Sequence, residues 1–245
     1  MPAAPPLTYL NQRRPRVSLV TGLLPQPCLC LVTDRTAVGG DTKDMMQRVA
    51  QAVLGGVDLV QVREKNLPAG ELLELTRFLL ESVGSRAKLI INDRADIALI
   101  AGAHGVQLGE EGLPVAAARK IVGNSGLIGR SVHSVAAATQ AQDYGANFLI
   151  VGTMFASRSH PGEAPTGPGL MQEISGKCQL PLIGIGGITP ENASAVIQAG
   201  ASGVAVITNV LAASDPRAAA SELKEAICEA WRVHEKQNGN QASVG

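Results

Sequence analysis

The sequence predicts an α/β protein folded as a single TIM (β/α)8 barrel, and three observations lead there. Short runs rich in Val, Ile and Leu, with little polar alternation, read as strands of a parallel sheet covered on its faces. Each run is followed by a longer amphipathic stretch, and the pair repeats eight times without a long crossover. The eight units span roughly 220 residues, close to the ~250 typical of a closed barrel. A doubly wound open sheet is the alternative, and the unbroken succession of units favours closure.

Residues 1–26 are proline-rich, with Arg13, Arg14 and Arg16 close together, and read as a loosely held arm ahead of a barrel domain over 27–235. The first unit pairs the apolar run Cys28 to Asp34 with a helix pattern from Lys43 to Leu54. Next come Asp58 to Glu64 with Ala69 to Glu81, Lys88 to Asp93 with Ala95 to Ala101, and Gly105 to Leu108 with Pro114 to Val122. The alternation continues through Gly126 to Ser131 with Val135 to Tyr144, and Phe148 to Gly152 with a helix near Leu170 to Ser175. Strand seven, Leu182 to Ile185, runs into Gly186 and Gly187, and Thr189-Pro190 reads as the N-cap and first turn of a helix. Strand eight, Gly203 to Ile207, is followed by a helix from Asp215 to about His234. The remainder, 236–245, is polar and is expected to be a disordered tail.

Twenty-one basic residues balance twenty-one acidic ones, and there is no run of like charge to mark a nucleic-acid or membrane partner. Apolar runs are too short to span a bilayer, and the start of the chain lacks a signal-peptide pattern, so a cytoplasmic protein acting on small molecules is expected. A homo-oligomer stays open. Cys28, Cys30, Cys178 and Cys228 form no CxxC or zinc-ligand spacing and read as core thiols.

In such a barrel chemistry belongs to the carboxyl ends of the strands. There the sequence places Gln61, Arg63 and Lys65 at alternating positions, hence on one side of strand two. Strand three ends in Asn92-Asp93, strand four in Glu110-Glu111, strand five in Ser131 with His133 just beyond, and strand eight in Ile207-Thr208. The glycine pair after strand seven suits close approach of backbone N–H groups to a phosphate. Asp93 is a hard oxygen ligand suited to Mg²⁺, and Arg63 with Lys65 can neutralise diphosphate oxygens. Read singly, Arg63-Glu64-Lys65 is equally a surface salt-bridge cluster and Asn92-Asp93 a helix N-cap. The long strand-six loop brings Ser157, Ser159 and His160, with hydroxyls able to donate to phosphate. His133 is open to two readings: a general acid/base at the mouth, or the end of a strand entering an N-capped helix.

Taken together, Gln61-Val62-Arg63-Glu64-Lys65, Asn92-Asp93, Gly105 to Gly109, Gly129 to Ser134, Gly152 to Phe155 and Ile185 to Pro190 resemble the thiamine phosphate synthase family, which includes thiazole tautomerases. The resemblance implies a Mg²⁺-dependent transferase that joins hydroxymethylpyrimidine diphosphate to a thiazole phosphate, giving thiamine phosphate and diphosphate. It implies that Gln61, Arg63, Lys65 and Asn92 hold the pyrimidine diphosphate, Asp93 its Mg²⁺, and Ser131 the neighbourhood of the reactive methylene. Ser157 and Ser159 stand where the family has threonines, and Gly187, Ile207 and Thr208 fall at its thiazole-phosphate site.

Two positions depart from that pattern: Gly112 stands where a second metal-binding aspartate is usual, and His160 where a lysine is usual. A tautomerase would need only the thiazole-phosphate site and His133 to move a proton, whereas Lys65 and Asp93 favour the synthase. A third possibility is a non-catalytic binder of thiamine precursors.

Overall fold

A computed structural model describes residues 24–156 and 165–242. Eight parallel strands pair in sequence order: β1 (Cys28–Val32), β2 (Leu59–Val62), β3 (Lys88–Asn92), β4 (Gly105–Leu108), β5 (Leu127–Val132), β6 (Phe148–Val151), β7 (Leu182–Ile185) and β8 (Gly203–Val206). Strand β8 pairs back onto β1, with Cys28 beside Gly203 and Leu31 beside Val206, so the sheet closes as the sequence predicts. The outer ring is α1 (Thr42–Leu54), α2 (Ala69–Val83), α3 (Ala95–Ala101), α4 (Val115–Val122), α5 (Val135–Asp143), α6 (Gly167–Ser175), α7 (Ala193–Gln198), α8 (Thr208–Leu211) and α9 (Pro216–Ala242).

Strand parity sorts the core into two layers. Leu29, Leu31, Val60, Val62, Leu89 and Ile91 point outward into the layer shared with the helices. Cys28, Cys30, Val32, Leu59, Ile90 and Phe148 fill the barrel interior. The interior tolerates one large ring only because its neighbour has none: a Cβ on Gly129 would collide with the Phe148 ring. Leu24, inside the segment expected to be an arm, is 5% exposed and packs into the same interior cluster. Cys28, Cys30 and Cys178 are buried free thiols. Burial pushes the Cys28 and Cys30 thiols well up from their ordinary value, which keeps them protonated and inert.

Helix α9 packs between α7 and α1 and so completes the outer ring. Lys224 Nζ lies 2.7 Å from Asp58 Oδ2 and donates to the Pro27 carbonyl at 2.7 Å, while Asp58 also accepts from the Leu29 N–H. The helix continues to Ala242, into the stretch read as a polar tail, instead of ending near His234. Lys236 and Gln237 are competent helix formers, and a polar helix end needs no buried face. Among the described residues no helix is long and apolar enough to cross a membrane.

The helix after β7 starts later than its sequence suggests. Thr189 is not an N-cap; its N–H donates to Asn192 Oδ1 at 2.8 Å in a turn that delays α7 to Ala193. A short helix directly follows β8 instead. With four residues, α8 is too brief to show a period in the sequence.

Candidate active site

The carboxyl ends of the strands open into a cavity of about 720 Å³. It is lined by Gln61, Arg63, Lys65, Asn92, Asp93, Ser131 and His133 on one side, and by Gly187, Ile207 and Thr208 from the loops after β7 and β8. Because β3 and β7 lie four strands apart in an eight-stranded ring, the Asn92-Asp93 end and the glycine turn face each other across the mouth. Val32, Ile150, Ile185 and Ala205 form an apolar floor between them. Ser157, Ser159 and His160 lie outside the described residues, as do Arg13, Arg14 and Arg16.

The β2 end is built by a carboxylate that turns away from the cavity. Glu64 accepts from Thr33 Oγ1 at 2.8 Å and from the Arg35 N–H and Nε at 3.2 and 3.1 Å. Thr33 Oγ1 in turn accepts from the Arg63 N–H at 2.9 Å. Glu64 therefore pins the turn on β1. Arg63 and Lys65 make no ion pair among the described residues, so the surface salt-bridge reading of Arg63-Glu64-Lys65 fails.

Next to it runs a chain of amides ending on a carboxylate. Gln61 Nε2 donates to Asn92 Oδ1 at 2.8 Å, and Asn92 Nδ2 donates to Asp93 Oδ2 at 2.8 Å. Asp93 Oδ1 accepts from the Gly109 N–H at 2.7 Å. Asp93 is thus no helix cap: α3 starts with Arg94 at its N-cap and has no side-chain cap. Gln61 is 4% exposed and its Oε1 has no partner among the described residues. The departure at position 112 lies directly against this group. A Cβ on Gly112 would fall 2.5 Å from Asp93 Oδ1, so the Asp93 carboxylate occupies the space a side chain there would need.

On the β4–β5 side, Arg130 fastens the loop after β4 by donating to the Glu110 carbonyl at 2.7 Å and the Leu113 carbonyl at 3.1 Å. His133 Nδ1 lies 3.0 Å from Glu110 Oε2, with both side chains about half exposed. Ser134 caps α5 by accepting from the Ala137 N–H at 3.2 Å. The strand enters a capped helix, as one reading of this segment expects, and His133 lines the cavity.

Across the mouth, Gly186 and Gly187 take φ values of 107° and 59°, a region L side chains seldom enter. They also let the β6 and β7 loops touch: a Cβ on Gly187 would strike the Ala156 carbonyl, and one on Gly186 would strike Thr153. Beside this turn Ile207 and Thr208 lead into α8. A short extra helix after strand eight, beside the strand-seven loop, is the usual phosphate corner of this fold. The sequence carried a signal for it in the polar pair Thr208-Asn209 straight after an apolar strand. Asn209 and Thr153 also line the cavity; Thr153 falls within the Gly152 to Phe155 motif, but neither residue was assigned a role from the sequence.

A parallel barrel that gathers cations without ion-pair partners among the described residues, a fixed carboxylate and a positive-φ glycine turn at one mouth belongs to the phosphate-handling TIM-barrel enzymes. The family model described as thiamine monophosphate synthase matches residues 29–210. The chain is 42% identical over 198 residues to the thiamine-phosphate synthase of Moorella thermoacetica, covering 80% of this chain and 93% of that protein. It is 44% identical over 204 residues to that of Methanoculleus marisnigri, covering 82% and 96%. Among solved structures, thiamine phosphate pyrophosphorylase from Pyrococcus furiosus is similar with a TM-score of 0.75 at 33% identity, over 83% of this chain and 96% of that one. The chain belongs to the thiamine monophosphate synthase family.

Proposed function

We infer that this chain is a transferase that condenses hydroxymethylpyrimidine diphosphate with thiazole phosphate to give thiamine phosphate and diphosphate. The observation that carries this is the two-sided mouth. The Asn92-Asp93 pair stands opposite the glycine turn, with Arg63, Lys65 and Thr208 lining the same cavity, so two phosphorylated substrates can be held in one mouth.

Mg²⁺ fits the donor set. Among the described residues no three His, Cys, Asp or Glu groups converge as a metal cage. Magnesium rarely uses one: it takes one or two carboxylates and completes its shell with substrate phosphates and water. Asp93 supplies one carboxylate whose oxygens each keep a lone pair beyond the bonds from Gly109 and Asn92. Bound there, the ion would offset negative charge on the diphosphate.

In the reaction the thiazole nitrogen forms a C–N bond to the pyrimidine methylene while the C–O bond to diphosphate breaks, the electron pair leaving with diphosphate. No protein nucleophile is needed. Arg63 presents a planar fork and Lys65 a point charge to the oxygens that gain charge, and the barrel fixes the two reactants in line. The unpartnered Gln61 Oε1 is an acceptor suited to the pyrimidine amino group. Gly187, Ile207 and Thr208 hold the thiazole phosphate. Small charged substrates suit a cytoplasmic protein.

One observation favours a second reading. The Glu110–His133 contact orients an imidazole at the mouth, as isomerisation of the thiazole phosphate by proton transfer would require. The two are separated by variants. Arg63→Ala and Lys65→Ala are expected to weaken pyrimidine diphosphate use by ten- to a hundredfold, roughly one to two lost charge-assisted hydrogen bonds each. Equal condensation rates with and without these cations would refute the transferase reading. Loss of thiazole isomerisation in His133→Ala would support the other.

A further inference from the structure

We propose that Gln107 is a positioning residue that sets the direction of the Ser131 hydroxyl, making its O–H a donor into the cavity. The proposal rests on reading that cavity as the place where diphosphate leaves.

Gln107 lies in the interior of β4, 1% exposed and behind the cavity wall. Its Nε2 donates to Ser131 Oγ at 3.1 Å, across the β4–β5 pair. The same Nε2 lies 3.5 Å from the Leu108 carbonyl. A carbonyl only accepts, so the amide atom facing it is the nitrogen, and the group next to Ser131 is a donor. The other end of the amide is wedged. Oε1 faces the backbone of Gly129, where a Cβ would collide with it, and Phe148 closes the same gap.

That Oε1 has no partner among the described residues. A buried orphaned carbonyl is unfavourable, and a Leu or Met would fill the volume without it. An amide is therefore a poor choice for packing alone. What it provides is a fixed N–H on Ser131. Once Ser131 Oγ accepts that bond, its own hydrogen must find an acceptor elsewhere, and none is present among the described residues. Ser131 lines the cavity, so its O–H is turned toward whatever oxygen a ligand presents there. In the condensation this is an oxygen of the departing diphosphate, which gains negative charge as the C–O bond breaks. A hydroxyl already turned toward it needs no reorientation during the step.

The test is a double-mutant cycle on the full chain: wild type, Gln107→Met, Ser131→Ala and the double variant. Each is read by kcat and KM for condensation, by the calorimetric Kd for inorganic diphosphate with Mg²⁺, and by thermal unfolding. Gln107→Met is expected to lower kcat and weaken diphosphate binding, each by roughly tenfold, about the effect of one hydrogen bond to a charged oxygen. KM for thiazole phosphate stays unchanged, the variant melts no lower than wild type, and the substitution has no further effect once Ser131 is alanine. An equal loss in both backgrounds, or no loss beside an intact Ser131, overturns the proposal. A wild-type chain that makes no thiamine phosphate would count against the substrate reading instead. The diphosphate arm of the cycle would then still decide the role of Gln107.

Discussion

Asp93 takes a left-handed backbone conformation, φ 56°, alone among the described non-glycine residues. Aspartate and asparagine tolerate this region better than other side chains. The Gly109 N–H and the Asn92 amide fix the carboxylate against Gly112. Asp93→Asn keeps the backbone preference and an oxygen for Gly109 but removes the charge. It is expected to fold with an unfolding temperature within a few degrees of wild type and to lose condensation by roughly a hundredfold or more, the scale of a lost electrostatic contact in a reacting site. A variant that unfolds readily would instead assign Asp93 a structural role. At this scale the sequence was most legible where strand parity applies. Gln61, Arg63 and Lys65 could be placed together because side chains alternate along a strand. The partners of Glu64, Thr33 and Arg35, lie on the preceding strand's end about thirty residues away, and no local pattern connects them. Gln107 read only as one polar residue in an apolar run.

The strands themselves carry a pH-sensitive joint far from the mouth. His104, just before β4, accepts the Leu89 N–H of β3 through Nδ1 at 3.0 Å. Burial, with Lys88 nearby, holds its imidazole below the ordinary value of 6.5. The unfolded chain therefore takes up this proton at a higher pH than the folded one. The stability contribution is complete above the unfolded value and is lost as pH falls through about 6.5 toward the folded value. Urea midpoints measured from pH 8 to pH 5 should fall on the acid side in wild type and fall less in His104→Gln. Equal acid loss in both would rule the joint out. Among elements, the eight strands were readable because each is a continuous apolar run, which a strand buried on both faces requires. Helices α7 and α8 were not, one because Asn192 delays it and the other because four residues make little more than one turn.

At the scale of the molecule, closing the sheet makes the site, because only a ring sets β3 and β7 opposite each other at one end. The closed barrel was foreseeable from the count of units and the chain length. The way the mouth is divided was not, since it depends on which loops meet across it, as Gly186 and Gly187 meet Thr153 and Ala156. Family membership places the chain among thiamine monophosphate synthases, and Gly112 and His160 are the points at which that chemistry is most exposed to test. The most direct measurement is condensation by the purified full chain, supplied with hydroxymethylpyrimidine diphosphate, thiazole phosphate and Mg²⁺. The expected result is thiamine phosphate and diphosphate formed in equal amounts, abolished by a chelator and restored by added Mg²⁺. Tight binding of both substrates with no thiamine phosphate at any metal concentration would contradict the account.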